Sequence, residues 1–213
     1  MYDFKVLIVA PWDDPPTTVS SYTGRRLYRY LRKLEVPVYF FPYKYSRKQY
    51  VGRILDRFGD DIIFVYTGHG MVDRQCGALE WHCKYKDGMI DPENYKRLKG
   101  HIYALCCWTA VELGRLVDEL RRAKSYLSWR TPIYIFYNKP EHHYMRDWYD
   151  IYSVYPLELL KTDDPKQSFK KLREKMKEYI EKYREKEGEW NYATHYRSRL
   201  ESNLRTAVLF TRG

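Results

Sequence analysis

The sequence is poor in neutral amide side chains, with only three Gln and four Asn among its 213 residues. Lys, Glu and Arg abound instead, a balance that fits a protein from a hot environment. Cysteine is scarce as well. Cys76, Cys83, Cys106 and Cys107 complete the set, too few for a secreted disulfide scaffold of this length. No apolar run approaches the roughly 18 residues that cross a bilayer. The run near the start, Val6 to Trp12, is short and carries no cleavage-site pattern. The expectation is a soluble, cytoplasmic chain with no membrane partner. Internal repeats, low-complexity segments and linkers are also missing. One domain over residues 1–213 is therefore expected: an α/β core over 1–140 and a helical extension with a closing strand over 141–213.

Hydrophobic residues make up 44% of the chain, enough for a packed core, and 23 tyrosines supply large bodies with polar tips. Lys and Arg number 38 against 28 Asp and Glu, a net charge of +10. Such a balance attracts nucleic acid through counterion release. Here both signs are mixed along the chain, as on an ordinary solvated surface.

Short apolar runs alternate with amphipathic segments. Val6 to Ala10 is an uninterrupted β-branched run, the pattern of a strand covered on both faces. Leu27, Leu31 and Leu34 recur at helical spacing, followed by a strand over Val36 to Tyr43 and a helix over Ser46 to Phe58. Asp61 to Tyr66 predicts a third strand. Gly77 to Trp81 has hairpin character, and Asp91-Pro92 predicts a helix that Gly100 stops. His101 to Cys106 is a fourth strand, Thr109 to Ala123 a helix, and Ser125 to Trp129 a fifth strand that Thr131 to Tyr137 continues or follows. Beyond it, Trp148 to Leu160 predicts one helix, Asp164-Pro165 caps another, and Ala207 to Phe210 closes with a strand. The order implies a mostly parallel sheet with helices on both faces and functional loops at the carboxyl ends of the strands.

Two strand ends carry the chemistry. His69 follows the third strand between Gly68 and Gly70, and Cys107 follows the fourth, with Trp108 and Thr109 opening the next helix. A thiol at a helix amino terminus is expected to have a lowered pKa. A nearby imidazole can take its proton and later protonate a leaving amine. The amides of Gly70 and Cys107 are the candidate oxyanion donors. Cys106 is expected to point into the sheet packing, by strand alternation. Cys76, His82 and Cys83 match no standard zinc spacing, so no metal and no cofactor is expected. A Cys76–Cys83 disulfide is the alternative for that pair. His142-His143 reads as a surface loop pair.

Tyr66-Thr67-Gly68-His69-Gly70 resembles the histidine block of the caspase-like cysteine peptidases. Ala104-Leu105-Cys106-Cys107-Trp108-Thr109-Ala110 resembles the cysteine block of their CHAT-domain branch, where a Thr or Ser two residues on selects Cys107 over Cys106. His69 and Cys107 are 38 residues apart, against roughly 50 in caspases. The Gln-Ala-Cys pattern of caspases is absent. The resemblance covers about residues 1–140 and implies a three-layer sandwich and a cysteine endopeptidase acting on a protein or peptide. It also implies a primary pocket lined by Asp13, Asp14, Ser128, Trp129 and Arg130. An Asp facing that pocket selects a basic substrate side chain, and Arg130 an acidic one. Two other readings stand beside it: an inactive module that docks a regulatory protein partner, and a nucleic-acid-binding protein of mobile-element or viral origin.

Overall fold

A computed structural model describes residues 4–12, 15–42, 45–76, 88–133 and 142–212. The strands are β1 (Lys5–Ala10), β2 (Val38–Pro42), β3 (Ile62–Thr67), β4 (Gly70–Met71), β5 (Arg74–Gln75), β6 (His101–Leu105), β7 (Ser125–Trp129) and β8 (Ala207–Thr211). The helices are α1 (Pro15–Lys33), α2 (Lys48–Phe58), α3 (Leu113–Leu120), α4 (His142–Tyr152), α5 (Val154–Thr162), α6 (Pro165–Glu185) and α7 (Ala193–Thr206). Six strands form one sheet in the order β2-β1-β3-β6-β7-β8. Every neighbouring pair is parallel except β7 and β8.

The uninterrupted apolar runs are explained by burial on both faces. Val6, Ile8, Ile63, Val65, Tyr103, Leu127 and Trp129 meet α1 and the carboxyl-terminal helices. Their alternates Leu7, Val9, Phe64, Tyr66, Ile102, Ala104 and Cys106 meet α2 and α3. Each fully buried aliphatic or aromatic side chain contributes about 1.5–3 kcal/mol relative to exposure. The fold is thus α/β, with a mostly parallel sheet, helices on both faces and a helical carboxyl-terminal portion. Among the described residues no helix is long and apolar enough to cross a membrane.

Several elements differ from the sequence expectation. Leu34 lies beyond α1 and is exposed. Asp91-Pro92 opens turns and a short 3-10 segment, Tyr95–Arg97, rather than a helix. The helix expected from Thr109 starts at Leu113. Trp148 to Leu160 is split at Ser153 into α4 and α5. Pro156 has no N–H to return to the Tyr152 carbonyl, so one continuous helix loses a bond there. His142 and His143 belong to α4, not to a loop. The first hairpin after β3 is β4–β5, and the one expected at 77–81 lies outside the described residues. Residues 131–133 form no strand, and 134–137 lie outside as well. Asp164 caps α6 as expected, accepting from the amides of Lys166 and Gln167 at 2.8 and 3.0 Å.

At the amino-terminal rim, His101 is buried in a polar chain. Its Nδ1 lies 2.9 Å from Ser125 Oγ, and its Nε2 lies 2.8 Å from Asp163 Oδ1. Ser125 Oγ is in turn 3.1 Å from the Tyr155 hydroxyl. Ser125 has no surface to offer a substrate, so the trio ties α5 to the sheet rather than making a nucleophile. Burial lowers the His101 pKa from its ordinary value of 6.5, against the opposing pull of Asp163. Below about that value the unfolded chain binds the proton more readily than the folded one, so stability falls as pH drops. Urea denaturation at pH 5 and 7.5 is expected to show a lower midpoint at pH 5, and His101→Gln is expected to narrow that gap. An unchanged gap in the variant excludes His101 as its source.

Candidate active site at the carboxyl rim

The order β2-β1-β3 makes a topological switch point between β1 and β3, where α1 leaves on one face and α2 returns on the other. Open sheets of this kind bind ligands in the crevice at the carboxyl ends beside that point. Pro11-Trp12, Gly68-His69 and Cys106-Cys107 are the residues that follow the three central strands there.

The β3–β6 register runs from Ile63 opposite His101 to Thr67 opposite Leu105. Each of these pairs is 38 residues apart, the same separation as His69 and Cys107. Both therefore leave their strands two residues past the last pair, on neighbouring ribbons about 4.8 Å apart. The Gly68 amide still reaches the Leu105 carbonyl at 3.4 Å. The His69 peptide is anchored: its carbonyl accepts from the Tyr66 hydroxyl at 2.7 Å and from the Cys76 amide at 3.0 Å. The Tyr66 hydroxyl also touches the Cys76 carbonyl. His69 itself is half-buried.

Cys107 is half-buried and packs against the aliphatic core on the α1 face. Its Sγ accepts from the Ile133 amide at 3.3 Å. Burial pushes its thiol pKa up, and the Ile133 amide offsets part of that rise. The lowered pKa expected from a helix amino terminus is thus overturned. The helix begins six residues later, and the Glu112 and Leu113 amides at its start already donate to the Val72 carbonyl at 3.1 and 2.9 Å. Between thiol and helix the chain makes a tight turn. Trp108 sits at φ 56°, in the left-handed region that a bulky residue rarely enters. The Thr109 amide folds back to the Cys107 carbonyl at 2.8 Å. Among the described residues no group accepts from the Cys107 amide.

Cys106 faces the other way and is buried, with its Sγ 3.2 Å from Thr109 Oγ1. Thr109 Oγ1 lies 2.5 Å from Ser128 Oγ, which donates to the Ala104 carbonyl at 3.0 Å. Gly70 closes this floor. A β-carbon there would stand 2.5 Å from the Cys107 carbonyl oxygen and 2.9 Å from Cys106 Sγ, so the position admits glycine only. Gly70→Ala is expected to cost about 1–3 kcal/mol by forcing the two strand ends apart. Equilibrium urea unfolding measures it, and an unchanged midpoint overturns the close approach.

The remaining expected site residues divide. Asp13 and Asp14 lie outside the described residues. Ser128 and Trp129 are fully buried, the first in the hydroxyl chain and the second in the core. That burial corrects the expectation that they line a substrate pocket. Arg130 alone of that strand end is exposed, with its amide donating to the Thr206 carbonyl at 3.0 Å. Cys76 is disulfide-bonded while Cys106 and Cys107 are free thiols. The partner expected for Cys76, Cys83, lies outside the described residues, as does His82. No group of His, Cys, Asp and Glu suited to a metal occurs among the described residues. Sequence reasoning missed Tyr66, Val72 and Ile133 as supports of the site. Each acts through contacts with residues distant in sequence or through its backbone, which residue type does not reveal. Comparison with known protein families, with curated proteins and with solved structures gave no match.

Proposed function

We propose that the protein is a caspase-like cysteine peptidase with Cys107 as nucleophile and His69 as general base. The observation that carries the reading is the β3–β6 register, whose 38-residue offset is the separation of the two residues on one rim. The sequence blocks around both residues support it from the side of chemistry.

Burial keeps Cys107 a neutral thiol, so this chemistry starts from a thiol rather than a preformed thiolate. His69 takes the Sγ proton as sulfur bonds to the scissile carbonyl carbon, and the carbonyl π pair moves to oxygen. The Cys107 amide, with that of Gly70, donates to the oxyanion. The oxyanion pair then returns, the C–N bond breaks, and the protonated His69 delivers its proton to the departing amine. Water attacks the thioester with His69 as base and releases the acid and the Cys107 thiol. Cleavage of denatured casein is the test. Activity is expected in the native chain and not in Cys107→Ala, and undiminished activity in the variant overturns the assignment.

A second reading, an inactive caspase-like module that docks a protein partner, is favoured by the raised thiol pKa and the packing of Cys107 on the core. It predicts alkylation of Cys107 no faster than an ordinary thiol.

A further inference from the structure

We infer that the candidate active site selects substrate polypeptides by a large apolar side chain next to the scissile bond, received on a neutral ledge beside Cys107. The inference rests on the peptidase reading. Met71, Val72, Trp108 and Val111 are 40–45% exposed, well above what apolar side chains of this size show in a core. They belong to two turns that are bonded to one another. The Val111 amide donates to the Trp108 carbonyl at 2.9 Å, and the Val72 carbonyl receives the amides of Glu112 and Leu113. The ledge is therefore mounted on the start of α3 and does not depend on its own contacts for rigidity. It begins one residue from the nucleophile, and on this proposal a chain whose carbonyl meets Cys107 extends over it.

Two further observations commit the ledge to a substrate chain. Trp108 holds the left-handed backbone conformation while remaining 40% exposed. Such a conformation costs on the order of 1–3 kcal/mol, persists only where its surroundings impose it, and clusters at ligand clamps. The two charges that follow Val72 are paired: Arg74 donates to the neighbouring Asp73 carboxylate at 2.8 Å. In a chain of net charge +10 this pairing leaves the Val72 turn without an uncompensated charge, which suits an apolar side chain. Recognition by burial of apolar surface is also insensitive to salt, unlike recognition by surface charge.

The test uses internally quenched peptides that differ at one position, fixed as Phe, Leu, Lys, Glu or Gly. For the native chain, kcat/KM is expected to be about tenfold or more higher with Phe or Leu than with Lys or Glu at one position, the scale of one or two methylenes in an apolar site. The preference is expected to hold between 50 mM and 500 mM salt. Met71→Ser and Val111→Ser, both at exposed positions, are expected to shrink it by raising KM with kcat unchanged. Trp108→Asn keeps a residue that tolerates the left-handed conformation and is expected to shrink it further. Turnover with no apolar preference, or a preference untouched by all three variants, overturns the ledge and leaves the peptidase reading standing. Turnover of none of the peptides, with Cys107 alkylated at an ordinary thiol rate, overturns both.

Discussion

His69→Ala is expected to slow peptide hydrolysis by about 10²–10⁴-fold, the range that a positioned general base contributes. The size follows from the state of the thiol. An exposed low-pKa cysteine retains much of its nucleophilicity without a base. Cys107 is raised by burial and backed by the core, so its proton has to be removed during attack. The loss therefore belongs in kcat, with KM little changed. Alkylation by iodoacetamide at pH 7 separates the two readings without any substrate. In the peptidase, Cys107 reacts faster than a free thiol of its exposure, and His69→Ala removes that advantage. Equal alkylation rates in the two proteins would falsify the base assignment and leave the partner-docking module. Cys106 serves as the internal control, because it is buried and its thiol pKa is pushed up further.

Trp129→Ala is expected to destabilise the fold by about 3–5 kcal/mol, a large share of the ~5–15 kcal/mol that holds a domain together. The indole is fully buried, with ring centroids 6.1 Å from Tyr103 and 5.9 Å from Tyr152. Its Nε1 donates to the Asn203 carbonyl at 2.9 Å, joining β7 to the end of α7. The Asn203 amide in turn donates to the Tyr152 hydroxyl at 2.8 Å, so the same point ties in α4. Trp129→Phe keeps most of the apolar body but removes one of two donors to the Asn203 carbonyl, which retains the Ala207 amide, a cost of about 0.5–1.5 kcal/mol. Urea denaturation of the three proteins orders them. A loss below 1 kcal/mol in the alanine variant overturns the core assignment and restores Trp129 as a residue of the rim.

The strands were legible because burial on both faces leaves a continuous apolar run, a signal that needs no partner to be read. The runs at Val6 to Ala10 and His101 to Cys106 fall on β1 and β6. The last helix was not legible. Its buried positions are Ala193, Tyr196, Leu200 and Asn203, a stripe half made of a small and a polar residue. The start of α3 was misplaced because Thr109 is a good cap by type, yet its hydroxyl is held by Cys106 and Ser128. The candidate pair was legible as two strand ends. The sign of the thiol shift was not, since it depends on what surrounds the sulfur.

Chain-local physics determined the α/β class and the alternation of strands and helices, because each rests on residue type and near spacing, while the candidates His69 and Cys107 rest on two strand ends and on the resemblance of their blocks to a known family. Register, facing and burial were decided by tertiary structure. Only pairing shows that β3 and β6 are neighbours offset by 38 residues, that Gly70 presses on the Cys107 carbonyl, and that Trp129 turns into the core. The reason is range. A hydrophobic pattern states that a face is covered, while the identity of the cover, and with it the pKa of any group beneath, comes from residues tens of positions away.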